Sequence, residues 1–513
     1  MKSSAASTTR RPSSSWLVLG CSLVLGGSIA ATAGLAQPQP QGPAAAPAPA
    51  ANPAAEARGK EIVELINSGD RQAIEAYARD NIEQGAARGP FGPMPAADLL
   101  MKMHYESRGA TLVGFRPTSP TAVTARYRNA MLGMTGAVNV EVSPQAPHKI
   151  VQLAPRRPSP SVDVPPGTDA ERVAQIDAVL KRMSDNDYFS GVMLIAKNGK
   201  PIFERAYGMA NREKRVPNTL DTRFNLASMN KMFTAVAIAQ LVEQGKLSYE
   251  DPVSKFLPDY PDPESAQKIK IKHLVTHTSG LDSYFGPKFF SRPMTEYRTI
   301  GAYLDAARQP GLAFEPGTRW FYSNTGMLVA GRIVEIASGQ DYYDYVRQHI
   351  YKPAGMTRTD SYELDKQPDR AIGYDAAIGP DGVSIRNTDN GTPVRGSPAG
   401  GGFSTARDVL RFANAFQANK LVGKAMTEGM LTPHPELGAP NYGYGLDLGG
   451  RLAPPGRKIA GHPGDSPGTC AIFDMIRDTP EPYTVIILTN GNSMGNCQPV
   501  AQLAYSLFAP AKN

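Results

Sequence analysis

Ser228 and Lys231 stand three residues apart in FNLASMNKMFTAVAIAQLVEQGKL (224–247), a short polar entry followed by what reads as one amphipathic helix. On a helix that spacing puts both side chains on one face, about 5 to 6 Å apart at Cβ. A serine hydroxyl is a weak nucleophile until a neighbouring base takes its proton, and an ammonium cannot do so. A lysine desolvated among apolar groups loses its proton more readily, and Met229, Met232 and Phe233 would supply such surroundings. A helix N-terminus adds N–H groups and positive potential, which favour the oxyanion formed at an attacked carbonyl. The same residues also fit a plainer role, with Ser228 as a helix cap and Lys231 as a solvated side chain.

A second match to this spacing, Ser265-Ala266-Gln267-Lys268, lies in a polar, proline-flanked stretch that reads as a loop with no helix to align the pair. Further on, in FEPGTRWFYSNTGMLVAGRIVEIASG, Tyr322 and Asn324 precede a helix and, two apart in a loop, can both enter one cleft. There a phenol can shuttle a proton, and an amide can donate to a substrate carbonyl while accepting from the lysine. Tyr127-Arg128-Asn129 repeats the pattern but falls in an expected strand elsewhere. In IAGHPGDSPGTCAIFDM, His462-Pro463-Gly464 enters a strand, where glycine beside polar residues marks close approach by a ligand or by backbone. Gly464 to Gly468 also spells Gly-x-Ser-x-Gly, but a nucleophile elbow needs a helix after its serine, and a strand follows Ser466. His273 and His277 have the spacing of two zinc ligands without the adjoining glutamate, and read as a packed structural pair. Neither a metal nor another cofactor is expected.

Taken in order, Ser228-x-x-Lys231, Tyr322-x-Asn324 and His462-x-Gly464 resemble the beta-lactamase-related serine hydrolases of the class C type, which include penicillin-binding D,D-peptidases, D-aminopeptidases and carboxylesterases. HLVTHTSGL (273–281), YKPAGMTRT and GGGFSTARDVLRF are similar to that family's connecting stretches, and the likeness covers about residues 168 to 512. The resemblance implies that Ser228 is the acylated nucleophile, Lys231 its proton acceptor, and Tyr322 the activator of the serine or of the deacylating water. It further implies that Asn324 positions the substrate amide, that His462 and Gly464 line the opposite strand, and that the backbone N–H groups of Ser228 and Asp465 form the oxyanion hole.

This sequence departs from the family in two places. His462 stands where efficient beta-lactamases carry lysine, which makes a weaker anchor for a substrate carboxylate and favours peptide, amide or ester substrates over penicillins. Pro463 can donate no hydrogen bond and fits only an edge strand. The alternative function is a catalytically weak, penicillin-recognising binding or sensing protein on the same scaffold, with the N-terminal unit as its working part.

The elements that must position these residues are legible in outline. TDAERVAQIDAVLKRM opens the large segment with a capping box of Thr168 and Glu171, and FSGVMLIAKNGKPIFERAYG is a hairpin turning at Asn198-Gly199. GTCAIFDMIRD and PYTVIILTNG are two further strands, and PVAQLAYSLF is a closing helix. The expected fold class is α+β, a beta-lactamase/transpeptidase-like antiparallel sheet that joins the first and last strands, flanked by helices and carrying a helical insert. The expected order is a signal peptide (1–36), a Pro/Ala-rich linker (37–56), a small α+β accessory domain (57–154), a second linker (155–167) and the hydrolase domain (168–512). The small domain reads as three helices and a four-strand meander, distantly similar to NTF2-like or cystatin-like accessory domains. Residues 281–312 and 362–396 read as long irregular segments.

The first 36 residues have a basic front, an apolar run from Trp16 and small residues before Gln37, so the expected location is periplasmic or secreted, with membrane contact only through this segment. An uncleaved anchor is the rival, because the run approaches spanning length. Cleavage would leave Cys470 and Cys497, either as a disulfide between a strand and the returning helix or as two buried thiols. The net charge of +7, which falls to +4 without Lys2, Arg10 and Arg11 of the first 36 residues, is no nucleic-acid footprint, and no nucleic-acid partner is expected. The expected partner is a small-molecule or peptide substrate, and the oligomeric state is left open.

Overall fold

The computed structural model describes residues 52–510, apart from 90–91, 157–166, 308–310, 368, 380–381, 450–453, 455 and 492–496. The expected export segment, the linker up to residue 51 and nearly all of the second linker lie outside the described residues.

Three helices, α1 (Pro53–Ser68), α2 (Arg71–Asn81) and α3 (Ala96–Ser107), precede a four-stranded antiparallel meander of β1 (Ala110–Ser119), β2 (Ala122–Asn129), β3 (Thr135–Val142) and β4 (Ile150–Arg156). Helix α1 begins inside the stretch expected to be linker. Asn52 caps it by accepting from the Ala55 N–H at 3.0 Å, and Pro53 sits in the first turn, where its missing N–H costs no helical bond. Ile62, Val63 and Ile66 of α1 close over Val123, Ala125, Val138 and Val140 of the sheet.

Helix α4 (Asp169–Asp185) starts with the expected capping box, in which the Thr168 N–H donates to the Glu171 carboxylate at 2.7 Å. Strands β5 (Gly191–Lys197) and β6 (Lys200–Tyr207) turn at Asn198 and Gly199, both with positive φ. The long middle supplies α5 (Lys231–Glu243), α6 (Pro263–Lys268), α7 (Asn324–Ser338), the hairpin β7 (Tyr374–Gly379) and β8 (Gly382–Asn387), and α8 (Ala406–Gln417). The chain closes with β9 (Asp447–Leu448), β10 (Ile459–Gly461), β11 (Gly464–Ser466), β12 (Thr469–Ile476), β13 (Tyr483–Thr489) and α9 (Cys497–Phe508).

The large antiparallel sheet runs β9-β10-β12-β13-β5-β6, with β11 also on β12, and β13 pairs with β5 from Thr489 opposite Gly191 to Tyr483 opposite Lys197. The first and last strands thus adjoin, as expected. Val485 and Ile487 with Met193 and Ile195 face α4 and α9, while Ile486 and Leu488 with Val192 and Leu194 face α5 and α8. Both faces are covered, which is why these strands are continuously apolar rather than alternating. A disulfide joins Cys470 to Cys497, with 5.9 Å between Cα atoms, and ties β12 to α9. Among the described residues no helix is long and apolar enough to cross a membrane.

Three local expectations are corrected. Helix α5 is not amphipathic: every residue from Lys231 to Leu241 is buried, because α7, α8 and the sheet surround it. Ser265 and Lys268 do lie on a helix, α6, but Ser265 Oγ donates to Asp262 at 2.5 Å and Lys268 pairs with Glu264 at 3.0 Å. Local carboxylates engage both, and neither faces the other as a working pair. The segment 362–396 contains the regular hairpin β7–β8, and 281–312 contains a helix at Ile300–Ala306.

Asp474 of β12 is buried and accepts a hydrogen bond from Tyr505 of α9. Burial outweighs that bond and pushes its carboxyl up to about 7. A raised carboxyl binds its proton more tightly in the folded state, so its contribution to stability fades as pH rises from about 4 to about 7. Asp474→Asn is therefore expected to gain on the parent across that window, by up to about 1.4 kcal/mol per pH unit in unfolding free energy. A stability gap independent of pH would refute this.

Candidate active site

Ser228 lies on a single 3₁₀ turn, Ala227–Asn230, that runs directly into α5. It is half-buried and makes no capping bond to α5. Ala227 holds φ 44, a left-handed conformation unusual for a residue with a Cβ. The turn is clamped from two sides. Gly401 N–H donates to the Ala227 carbonyl at 3.1 Å, and Leu226 N–H donates to Gly402 at 2.7 Å. A Cβ on Gly400 would lie 2.9 Å from the Ala227 oxygen, and one on Gly464 would lie 2.1 Å from the Leu226 oxygen. Only glycine allows β11 to approach the turn so closely, the role anticipated for Gly464.

Lys231 is fully buried. Its Nζ lies 3.0 Å from Ser228 Oγ, 2.8 Å from Asn324 Oδ1 and 2.5 Å from the Ala399 carbonyl oxygen. None of these partners is a carboxylate, and burial holds the amine well below its ordinary range. As an uncharged amine Nζ retains two N–H bonds, which the two carbonyl oxygens accept, and its lone pair is left for the Ser228 hydroxyl.

Tyr322 and Asn324 flank Ser323, which anchors the loop. Ser323 is extended (φ −121, ψ 114); its Oγ accepts from Gly326 N–H at 2.9 Å and donates to the Asp282 carbonyl at 2.8 Å. Its N–H donates to His277 Nδ1 at 3.2 Å. In an extended segment the two neighbours of a residue share the opposite side, which turns Tyr322 and Asn324 together toward Lys231. Asn324 Nδ2 donates to Ser283 Oγ at 3.0 Å, so its amide is fixed at both ends. Lys231 Nζ lies 4.8 Å from the Tyr322 ring centroid.

The opposite wall is the strand carrying His462 and Asp465. Gly461 pairs with Asp474 and Gly464 with Ala471, so β10 and β11 hold one register through His462 and Pro463. His462 N–H donates to Phe473 at 3.0 Å, which places the neighbouring Pro463 at a position whose N–H would point away from β12. Among the described residues no strand lies on the other side there, so proline costs no ladder bond. Asp465 is oriented by the same alternation: Cys470 opposite it directs both backbone groups to Thr489, leaving the Asp465 N–H and C=O facing the open edge. The His462 ring stands 6.2 Å from that of Tyr322 and 6.1 Å from that of Tyr442. Ser466 enters a tight turn back into β12, not a helix.

Ser228, Lys231, Tyr322 and Asn324 thus meet at one point, facing the wall of His462, Gly464 and Asp465. Reading side chains missed the Ala399 carbonyl, Ser283 and Tyr442. A backbone acceptor has no residue signature, although the Gly400-Gly401-Gly402 run beside it marked a crowded loop. His277 is buried as expected, but φ 59 takes it out of the helix that ends at Val275, and its ring lies 4.4 Å from that of Tyr322.

The beta-lactamase family model matches residues 176–504. Penicillin-binding protein 4* of Bacillus subtilis is 30% identical over 328 residues, which cover 61% of this chain and 71% of that one. Esterase EstB of Burkholderia gladioli is 28% identical over 313 residues, covering 55% of this chain and 79% of the esterase. The crystal structure of a penicillin-binding protein from Bacillus halodurans superposes with a TM-score of 0.55 at 30% identity, covering 63% of this chain and 98% of that one. With the sheet, the helical insert and the clamped serine turn in place, the chain belongs to the beta-lactamase family and is a hydrolase of that fold.

Proposed function

We propose that the protein hydrolyses an amide or ester carbonyl, in a D-amino-acid peptide, an ester or a beta-lactam, through an acyl-enzyme on Ser228. The observation that carries this reading is the buried Lys231 amine, its N–H bonds taken by Asn324 and Ala399 and its lone pair 3.0 Å from the Ser228 oxygen. Lys231 takes the hydroxyl proton as Ser228 Oγ bonds to the carbonyl carbon. The resulting oxyanion accepts from the backbone N–H groups of Ser228 and Asp465. Collapse expels the amine or alcohol, which takes a proton relayed through Tyr322, and water then attacks the acyl-enzyme with a proton passing the other way. His462 offers no permanent charge to a substrate carboxylate, which favours peptide, amide or ester substrates over penicillins. Relatives with an esterase name and with a penicillin-binding name support the same range of carbonyl chemistry. The basic front and apolar run of the first 36 residues support a place of work in the periplasm or outside the cell.

A fluorophosphonate probe tests the nucleophile. Labelling is expected in the parent and absent in Ser228→Ala, and equal labelling of that variant would overturn the mechanism. Lys231→Ala is expected to lose at least about 10³-fold in acylation rate with an unchanged circular dichroism spectrum. Because burial holds the amine well below its ordinary range, the parent's acylation rate should level off well short of the ordinary lysine range instead of climbing toward it. Gly464→Ala forces β11 off the serine turn, and at least about a hundredfold loss of acylation is expected while Ser466→Ala stays near normal. Loss in Ser466→Ala with the fold intact would reinstate the elbow serine.

A further inference from the structure

The backbone of Asp465 dictates which way a substrate lies. In an antiparallel pairing one residue exchanges both of its hydrogen bonds with the residue opposite. If the scissile carbonyl accepts from the Asp465 N–H, the N–H of the same acyl-side residue donates to the Asp465 carbonyl. The preceding residues of an extended substrate then run antiparallel to β11, past Ser466 and toward Pro467. The leaving group runs the other way, toward His462.

What stands at the acyl end is the hairpin β7–β8. Its base abuts the Pro467-Gly468 turn: Thr388 Oγ1 donates to the Pro467 carbonyl at 3.4 Å, and a Cβ on Gly468 would lie 2.8 Å from the Gly373 Cα. Asp375 of β7 is held up to about 6 by burial and by Asp465, with Lys102 of α3 acting against both. The far end of the hairpin belongs to the small N-terminal unit. Arg71 Nη1 donates to the Gly379 carbonyl at 2.7 Å, while Asp98 at 3.2 Å and Glu75 at 2.7 Å fix the rest of the guanidinium. Helix α3 packs on β7, and Ala376, Val383 and Ile385 of the hairpin lie on the apolar cluster that Tyr105, Met131, Leu132 and Met134 of the small unit share with α4.

We propose that the small N-terminal unit sets specificity for the acyl side: through Arg71 and α3 it holds hairpin β7–β8 as the wall against which an extended, peptide-like acyl group lies. Arg71 is a positioning residue that touches no substrate and acts through the Gly379 carbonyl. This rests on the acyl-enzyme reading above, and the two are separable by experiment.

The test compares two activated esters with one leaving group, p-nitrophenyl acetate and the p-nitrophenyl ester of acetyl-D-alanyl-D-alanine. The acetate ends at the oxyanion site, whereas the acetyl-dipeptide extends past Ser466 to Pro467, where the hairpin abuts. Arg71→Ala is expected to raise KM for the dipeptide ester about tenfold with kcat little changed, and to leave acetate kinetics within about twofold of the parent. Arg71→Lys, which restores a donor to Gly379, should recover most of the dipeptide KM. Thr388→Val, at the opposite end of the hairpin, should show the same selective rise. A parallel fall for both esters, or an unchanged dipeptide KM in both Arg71→Ala and Thr388→Val, would overturn the proposal. Acetate turnover that disappears in Ser228→Ala keeps the acyl-enzyme reading intact in either case.

Discussion

The site depends on an amine that the fold cannot keep charged. Lys231 is buried on a helix enclosed on all sides, with two carbonyl oxygens and a hydroxyl as partners and no carboxylate among them. An isolated ammonium in such a place costs several kcal/mol beyond what neutral acceptors return, whereas an uncharged amine satisfies those partners without that penalty. The same burial that would be a defect elsewhere suits a surface-type residue to the role of base in the proposed mechanism. It also sets what must surround it: glycines at 400 and 464 so that backbone can close in, and a loop pinned by Ser323 so that Tyr322 and Asn324 arrive together.

That dependence explains what could be read from the residues. Serine, lysine, tyrosine, asparagine and histidine have side-chain chemistry specific enough to be picked out by type and spacing, and geometry brings them into one cleft. The helix that carries Lys231 and follows the serine turn reads as amphipathic, yet its polar residues are interior. Thr234 instead donates to the Pro398 carbonyl at 2.8 Å, and Gln240 donates to His349 and Leu421. Polar residues with fixed backbone acceptors can be interior, and a periodicity argument cannot tell them from solvated ones. The decoy Ser265–Lys268 shows the converse: helical spacing was present after all, and only the partners of each side chain separate it from the working pair.

Fold legibility followed the same division. Continuous apolar strands bounded by turns identified the central sheet, and the adjacency of first and last strands follows from covering both faces with helices. The hairpin β7–β8 escaped notice because both strands are short: Tyr374–Gly379 is rich in small residues, and the alternation of Val383 and Ile385 with Ser384 and Arg386 spans only four residues. Their order comes from neighbours: Tyr374 N–H donates to Asn490 at 2.9 Å, and the apolar side rests on the cluster of α4 and the small unit. Structure that is stabilised by contacts distant in sequence leaves little local trace.

The open edge at β11 joins these threads. An unpaired strand edge is a template for any extended chain and is a liability in a protein that must stay in solution. Here Pro463 removes one outward donor, the charged Asp465 side chain discourages a second copy, and the strand is only three residues long. Along this short edge only the Pro463 C=O and the Asp465 N–H and C=O face outward, too few groups to template a neighbouring sheet. The features that protect the edge also limit what it can hold, so in the proposed mechanism backbone would fix the register of a bound carbonyl over Ser228, and substrate preference would pass to the hairpin wall on one side and the His462 end on the other.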